Sequence, residues 1–395
     1  MRNIVLASLI AVLTILLSSC GDNSSNSNST SDTNEDSVVR WKMASTFPGN
    51  LNIIGEGGLN FIDRVETVSN GTIKIKFFEP GALVPPLEVF DAVSTGAVDA
   101  GWSTAGYWAG KIPAVQFFTA VPFGPNASEF LAWYHEGGGK ELWEEIYARH
   151  NLFPVQCELI SPEASGWFRK EITSIEDLKG LKMRFFGLGA KVMDKIGAST
   201  QLLAGGDIYP ALELGTIDAT EFAMPSIDLD LGFYQIAKHY YFPGWHQPAS
   251  ALELMVNLDK WNALSDSQRA QIEATCSENV VKTLAMAESR QPKALEELQS
   301  KGVTLHRWSD EVLAELESAW QEVVQEQSAS DEDFARVWAS LTRPTLFDNP
   351  IYPVKKRIAF LWTVFGTFVG LAYSFILEIR SKKIYNLQDL QNIIS

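Results

Sequence analysis

The hydrophobic positions of the chain follow two alternating periods from about residue 38 onward. Residues 38–44 alternate between apolar and polar side chains, as a strand with one buried face does. Residues 51–68 have apolar positions at helical spacing, and residues 72–77 alternate again after an Asn-Gly turn. Helix and strand keep alternating beyond this point, which predicts an α/β domain.

The patterned region is too long for a single hydrophobic core. It runs from residue 38 to about residue 345, whereas one core rarely serves more than about 250–300 residues. We therefore predict a fold of two lobes. Lobe 1 is expected to contain residues 38–155 and lobe 2 residues 156–249, each with part of residues 250–345.

Two strand-like apolar runs, at residues 152–160 and 250–257, are suited to carry the chain between the lobes. We predict that they are hinge strands. After them the pattern is helical from a capping Ser265 to about residue 341, and it is rich in Ala, Glu, Gln and Leu. Long C-terminal helices are therefore expected.

An internal similarity relates residues 88–100 to residues 207–219, where acidic, aliphatic, aromatic, Ala, Gly and Asp positions recur in register. Each copy predicts a short helix that ends near Gly96 or Gly215 and leads into a short strand. Two interpretations remain open. The unit is either a common motif matched by chance or part of two similar lobes, each presenting it at the strand edge where α/β proteins bind ligands.

The N-terminus has the layout of a bacterial export signal. Arg2 precedes an apolar run at residues 4–17, and a Leu-Ser-Ser-Cys ending closes the segment 1–20 at Cys20. This ending resembles the lipobox of bacterial lipoproteins, which implies that Cys20 is lipidated. Residues 21–37 have no aliphatic or aromatic side chain and are predicted to be a disordered polar tether. An ordinary signal peptide with an incidental cysteine is the alternative.

A second apolar run lies near the other end of the chain. Residues 358–377 contain no charged side chain and have basic residues on both sides, which is typical of a membrane-spanning helix of about 20 residues. Gly366 and Gly370 form a pair that lets such helices pack closely. We predict a C-terminal membrane helix and a polar tail at residues 378–395. A hydrophobic helix docked on the protein itself is the alternative.

Composition excludes several classes of function. The 48 acidic and 32 basic residues give a net charge of −16, which argues against nucleic acid as a partner. We interpret Cys157 and Cys276 as buried small apolar residues rather than as a disulfide framework. The five histidines show no metal-binding spacing, and residues 101–105 lack the second glycine of a nucleophile elbow. The chain is therefore predicted not to be an enzyme.

Residues 41–341 resemble the DctP-type solute-binding proteins of tripartite ATP-independent periplasmic (TRAP) transporters. The most specific segments are residues 86–96, 166–172, 178–184 and 205–221. Together they are most similar to the branch that binds 2-oxo acids such as pyruvate, and the lactate-binding branch is similar. The resemblance implies a two-lobed periplasmic-binding-protein-like fold that closes over a carboxylate and hands it to the membrane subunits of a TRAP transporter.

The resemblance places the ligand-gripping arginine of the family at Arg184. A guanidinium suits this role because its planar pair of N–H donors matches a carboxylate. A surface arginine in an ion pair is the alternative. The resemblance also implies that Phe47, Tyr107 and Trp108 form walls of the pocket, although aromatic residues are as often core.

In the 2-oxo acid branch a cation, usually sodium, bridges the protein and the ligand. The resemblance assigns it to the carboxylate of Glu221 and the main-chain carbonyl of Phe222, with Glu163 and Gln247 beside them. This chain departs from the branch, which has an amide at Glu163, a carboxylate at Gln247 and tryptophan at Phe222. The first two changes indicate an exchange of acid and amide. A ligand with a hydroxyl group and a preference for calcium are the alternatives.

These features together predict a periplasmic, membrane-anchored protein that captures a small 2-oxo or 2-hydroxy monocarboxylate with sodium or calcium. A sensory protein that reports its ligand to a membrane receptor would have the same body. An enzyme acting on a small organic acid is the third class of function. Dimerisation through the C-terminal helices occurs in the 2-oxo acid branch, so a homodimer is a further expectation.

Overall fold

A computed structural model describes residues 37–342 and, near the C-terminus, residues 366–367, 369–374 and 376–377. Helices and strands alternate along residues 37–342 and form two separate sheets. The predicted α/β class is therefore confirmed.

Several expectations from the sequence fall outside these residues. The export signal, Cys20, nearly all of the tether, most of residues 358–377 and the polar tail are not among the described residues. Within the described ranges, no helix combines the length and the apolar character needed to cross a membrane.

The sheet of lobe 1 draws its strands from distant parts of the chain. Strand β1 pairs in parallel with β2 and β3, whereas β10 is antiparallel to β3 and β4, which gives the order β2-β1-β3-β10-β4. The strands are β1 (Val39–Ser45), β2 (Ile73–Phe78), β3 (Ala100–Ser103), β4 (Leu152–Ile160) and β10 (Ser250–Asn257).

The sheet of lobe 2 contains the strands that lie between β4 and β10 in the sequence, together with one later strand. Its order is β11-β9-β5-β8-β6-β7, and β6 is parallel to both of its neighbours. The strands are β5 (Gly166–Phe168), β6 (Lys182–Arg184), β7 (Ser199–Gln201), β8 (Ala219–Thr220), β9 (His239–Phe242) and β11 (Thr304–Arg307).

The two predicted hinge strands are present as β4 and β10, with the predicted bounds. They pair antiparallel along their whole length, so that Ser250 lies opposite Ile160. The chain leaves lobe 1 after Ile160 and returns at Ser250. These two crossings therefore lie side by side at one end of this strand pair.

Eleven α-helices within residues 37–342 cover the two sheets. The longest, α9, has 35 residues and begins with a capping box in which Ser265 and Gln268 each bond the other's main chain. It packs against β4 and α1 of lobe 1 and against α7 of lobe 2, so it braces both lobes. The helices are α1 (Ile54–Val68), α2 (Val89–Ser94), α3 (Ala127–Glu136), α4 (Gly139–Ala148), α5 (Gly187–Lys195), α6 (Gly205–Glu213), α7 (Pro225–Leu231), α8 (Leu258–Asn262), α9 (Asp266–Ser300), α10 (Asp310–Ser330) and α11 (Glu332–Leu341).

The internal similarity corresponds to one structural unit in each lobe. Helix α2 ends before Gly96 and leads into β3, and helix α6 ends before Gly215 and leads into β8. Both glycines have positive φ, at 76° and 71°, a conformation that only glycine adopts without strain. The predicted helix–glycine–strand order is therefore confirmed in both copies.

The two units also make the same contacts with the neighbouring strand. The Asp99 carboxylate accepts a hydrogen bond from the main-chain N–H of Lys42, and the Asp99 N–H donates to the Lys42 carbonyl. Asp218 and Lys182 repeat both bonds in lobe 2. This agreement favours two similar lobes over a chance match.

The interpretation of Cys157 and Cys276 as separate buried thiols is wrong, because the two residues form a disulfide across 119 residues of sequence. Cys157 lies on β4 and Cys276 on α9, and these elements pack directly against each other. The pairing depends on this tertiary contact, which no local pattern in the sequence specifies. The disulfide therefore fixes helix α9 to the hinge strand β4.

Candidate functional site

A cavity lies between the two lobes, beside the crossing of the hinge strands. It has about 350 Å³ of empty space, part of it open to solvent. Its lining is mostly apolar with a few polar groups, and consists of Phe47, Ile54, Thr104, Tyr107, Ile160, Glu163, Arg184, Phe186, Phe222, Ala223, Gln247, Ser250 and Leu252.

Arg184 is the last residue of β6 and is only 1% exposed. Pairing of β6 with β7 and β8 holds its main chain from both sides. Its Nη1 donates hydrogen bonds to the carbonyl and to Oε1 of Glu221, each at 2.7 Å, and its Nε donates to the carbonyl of Leu203 at 3.2 Å. The predicted clamp residue is therefore buried and oriented at the cavity wall.

Glu221 follows β8 directly and is fully buried. Burial alone would raise its pKa, but the charge of Arg184 and the imidazole of His246 outweigh that effect, so the pKa lies below its ordinary value. Its second oxygen, Oε2, lies 3.5 Å from Nε2 of His246. The two oxygens of this carboxylate thus face different partners.

Glu163 and Gln247 lie in direct contact, as an exchanged acid and amide would. Gln247 Nε2 donates to Glu163 Oε1 at 3.0 Å and to the hydroxyl of Ser250 at 2.8 Å. The main-chain N–H of Glu163 donates in turn to the Gln247 carbonyl. Burial, followed by the nearby charge of Glu221, raises the pKa of Glu163 well above its usual range.

Several buried acceptors converge beside Arg184 without a protein partner. Glu163 Oε2, Glu221 Oε2 and Gln247 Oε1 accept no hydrogen bond from the described residues, and neither ring nitrogen of His246 makes one there, although its Nε2 lies 3.5 Å from Glu221 Oε2. Glu163, Glu221 and His246 each place one ligand atom within 4.8 Å of the others. Buried polar atoms are normally satisfied, so this donor set fits a bound cation.

His246 is the member of this cluster that the sequence reasoning did not name. The spacing of the histidines indicates no metal site, because the neighbours of His246 in the cluster are carboxylates from distant segments. A signal was available, because His246 immediately precedes Gln247, which the resemblance had already assigned to the site.

Only some of the aromatic residues expected to form the pocket wall lie at the cavity. Phe47 and Tyr107 line the cavity as expected, and so does Phe222, which was expected to offer its carbonyl to a cation. Trp108 differs from the expectation, because it is not among the lining residues. It is fully buried in lobe 1, where its indole N–H donates to Glu253 Oε1 at 2.9 Å.

Phe186 adds a wall residue that was not predicted. Its ring packs edge-on against that of Tyr107, with centroids 5.2 Å apart, and it lies beside the guanidinium of Arg184. A methyl group at Gly106 would lie 2.2 Å from Phe186 Cζ. The lobes therefore touch closely at this side of the cavity.

The chain is similar in sequence to known binding proteins. Residues 44–331 match the family model described as bacterial extracellular solute-binding protein, family 7 (DctP). The monocarboxylate 2-oxoacid-binding periplasmic protein of Nostoc sp. is 36% identical over 337 residues, which cover 85% of this chain and 91% of that protein.

Two solved structures of TRAP solute-binding proteins extend the similarity to the fold. A protein from Bordetella bronchiseptica, a dimer with calcium and picolinate in an active site, has a TM-score of 0.76 at 34% identity and covers 88% of this chain and 100% of its own. A protein from Pseudoalteromonas atlantica with bound sodium and pyruvate has a TM-score of 0.75 at 32% identity and covers 85% and 99%. These relatives bind solutes for transporters and are not enzymes. The chain therefore belongs to family 7 of the bacterial extracellular solute-binding proteins, the DctP family.

Proposed function

We propose that this protein captures a small 2-oxo monocarboxylate, such as pyruvate, together with a cation, for delivery to a TRAP transporter in the membrane. The observation that carries the proposal is the position of Arg184. A buried guanidinium at the wall of an interlobe cavity is suited to bind a carboxylate that is enclosed when the lobes close.

The hydrogen bonds of Arg184 leave part of its guanidinium for a ligand. Its contacts with Glu221 and Leu203 engage Nη1 and Nε, and Nη2 carries two further N–H donors. We propose that these donate to the ligand carboxylate. Glu221 then acts as a positioning residue that holds the plane of the guanidinium.

The charges in the site favour binding of a cation together with the ligand. Arg184 carries one positive charge, whereas Glu221 and a bound carboxylate carry two negative charges in a buried space. We propose that Glu221 Oε2, Gln247 Oε1, Glu163 and the main-chain carbonyl of Phe222 hold a sodium or calcium ion between protein and ligand. The unpaired oxygens described above support this assignment, as do sodium and calcium in the similar proteins.

The cavity wall favours a small acid with an apolar or flat body. Phe47, Tyr107, Phe186 and Phe222 surround the position that the remainder of a ligand would occupy. A second ligand carboxylate would meet these rings rather than a second cation. We therefore propose monocarboxylates over C4-dicarboxylates as ligands.

Calorimetric titration of the purified protein tests this function. We expect pyruvate and 2-oxobutyrate to bind in sodium or calcium and to raise the melting temperature, because only the folded state binds ligand. At a ligand concentration of 100 times Kd the stabilisation should be about 2.7 kcal/mol. Succinate and a buffer lacking both cations are the controls. If no monocarboxylate binds under any cation condition, the proposed ligand class is wrong.

We further propose that the protein acts in the periplasm, attached to a membrane. Support comes from the lipobox-like ending at Cys20 and from the uncharged run at residues 358–377, which would be a second attachment. A homodimer, as in the similar Bordetella protein, completes the proposed arrangement.

Fractionation of cells that express a Cys20→Ala variant tests the lipid attachment. We expect the unchanged protein in the membrane fraction and the variant unlipidated. If the variant stays with the membrane after a high-salt wash but is released once residues 358–377 are also removed, the apolar run is a second anchor. If it is fully released, the run does not hold the protein. Lipid labelling of the unchanged protein would confirm Cys20 as the modified residue, and a lack of label would contradict it.

A further inference from the structure

Asp228 is a buried carboxylate that contributes nothing to the lining of the cavity. It lies on helix α7 and is only 1% exposed. A charge at such a position is unfavourable unless hydrogen bonds satisfy it. The indole N–H of Trp167 and the hydroxyl of Tyr240 each donate to Asp228 Oδ2 at 2.8 Å, and the main-chain N–H of Ala223 donates to Oδ1 at 3.1 Å. The carboxylate therefore ties the main chain at Ala223 to the sheet of lobe 2.

We propose that Asp228 is a positioning residue for the bound cation, and that it acts by fixing the peptide unit between Phe222 and Ala223. The inference rests on the proposed function, in which the Phe222 carbonyl is one of the cation ligands. In this role Asp228 touches neither the cation nor the acid. It determines how strongly the cation binds through the direction in which the carbonyl points.

The geometry of a peptide unit transmits the effect. The Ala223 N–H and the Phe222 carbonyl belong to one planar trans unit, in which the two groups point in opposite directions. An N–H that is directed at Asp228 therefore directs the carbonyl away from it. Phe222 and Ala223 line the cavity, whereas Asp228 does not, so the carboxylate holds this unit from outside the cavity.

The Phe222 carbonyl is available to a cation. Within residues 37–342 it accepts no hydrogen bond, although main-chain carbonyls of buried residues normally have a partner. It belongs to the residue that follows Glu221, whose Oε2 is a further oxygen assigned to the cation. A hydrogen bond from the same peptide unit to a carboxylate also polarises the unit and makes its carbonyl oxygen a better ligand.

The other side of Ala223 is fixed as well. Its carbonyl accepts a hydrogen bond from the main-chain N–H of Ala164 at 3.0 Å. Ala164 directly follows Glu163, so this bond joins the segment that carries Glu163 to the segment that carries Glu221. A displacement of Ala223 would therefore disturb the main chain on both sides of the cation.

The carboxylate of Asp228 is itself held rigidly. Trp167 on β5 and Tyr240 on β9 lie directly opposite each other in antiparallel strands, and their rings stack with centroids 3.8 Å apart. Because the strands and the stacking fix both donors, they fix the position of Oδ2 and leave Oδ1 directed at Ala223. A ligand is positioned well only when the residues that support it are rigid in this way.

The variant Asp228→Asn tests the inference. Its amide oxygen should stay with the two donors of Trp167 and Tyr240, so that the amide NH2 faces the Ala223 N–H and the bond to the peptide unit is lost. We expect the cation concentration for half-maximal pyruvate binding to rise about 10- to 100-fold, as is usual when a group that orients a metal ligand is changed. The probe is whichever of sodium and calcium supports the tighter pyruvate binding in the unchanged protein.

Titration calorimetry at pH 8 measures this change. Burial raises the pKa of Asp228 to about 7, so the carboxylate is ionised at that pH. Asp230→Asn is the matched control, because it removes an acid of the same helix whose carboxylate accepts a hydrogen bond from the Asn52 N–H instead. The control should keep the cation dependence of the unchanged protein. Melting temperatures without ligand identify a merely structural role, which would lower stability and leave the cation dependence unchanged.

A folded Asp228→Asn protein with the cation dependence of the control would overturn the inference. A crystal structure of the unchanged protein with calcium and pyruvate gives a second test that needs no variant to fold. We expect the Phe222 carbonyl within about 2.3–2.6 Å of the ion and the Ala223 N–H still bonded to Asp228. An ion bound without this carbonyl would reject the positioning role alone, whereas a lack of pyruvate binding with any cation would reject the proposed function.

Discussion

Replacement of Arg184 by alanine is expected to weaken binding of a monocarboxylate from roughly 30-fold to several thousand-fold. This range corresponds to the roughly 2–5 kcal/mol lost when one partner of a buried, hydrogen-bonded charge pair is truncated. The loss should be large because the guanidinium is 1% exposed and already fixed by Glu221. Isothermal titration with pyruvate measures it directly.

The alanine variant also leaves the Glu221 carboxylate buried without its cation partner, which could destabilise the fold. Arg184→Lys is therefore the second variant, because it keeps a positive charge beside Glu221 but lacks the planar pair of donors. We expect it to fold and to bind pyruvate with intermediate affinity. Arg149→Ala, which removes a surface ion pair with Asp333, is the control and should bind normally. Unchanged affinity in a folded Arg184→Lys and a folded Arg184→Ala would show that Arg184 is not the clamp.

Removal of the disulfide is expected to lower the free energy of unfolding by about 2–5 kcal/mol, because a closed loop of this length strongly restricts the unfolded chain. Cys157 and Cys276 are 119 residues apart in sequence. The double variant Cys157→Ala with Cys276→Ala tests this without leaving a reactive thiol. Denaturant unfolding followed by circular dichroism gives the free-energy difference.

Ligand binding should survive this substitution. The disulfide joins β4 to α9 and contributes no side chain to the cavity lining. Reduction of the unchanged protein should produce the same loss of stability, which makes the reduced protein a matched control. If the double variant unfolds at the same denaturant concentration as the oxidised protein, the bond contributes nothing to stability.

The parts of the fold that depend on local patterns could be predicted from the sequence. Hydrophobic periods and the glycines at 96 and 215 specify helices, strands and their ends, and most of these predictions are confirmed. The exception is strand β11 (Thr304–Arg307), which interrupts the region predicted to be helical from residue 265 to about 341. The pairing of Cys157 with Cys276 was not accessible, because it depends on how α9 docks on β4.

For the same reason, only some of the site residues could be predicted from the sequence. Arg184, Glu163 and Gln247 were named through resemblance, and the structure brings them to one cavity. The ligand-binding roles of Arg184 and Glu163 and the metal-binding role of Gln247 stay predictions. His246 carries no spacing signal, since its neighbours Glu163 and Glu221 come from other segments. Trp108 was predicted at the site but lies in the core. Nothing in the sequence distinguishes a buried core aromatic from one that faces a ligand.

The paired helix–glycine–strand units have a consequence for the order of binding. Although the units are built alike, the arginine and Glu221 stand at the strand ends of lobe 2 alone, and lobe 1 contributes Phe47 and Tyr107 to the cavity. An acid arriving at an open protein would therefore dock on lobe 2 first, held by charge. Lobe 1 would then close over the bound acid with apolar side chains, and their shape would select the part of the ligand beyond its carboxylate. Because the anchoring and selecting surfaces lie on separate lobes, ligand preference can change through lobe 1 while the carboxylate anchor stays the same.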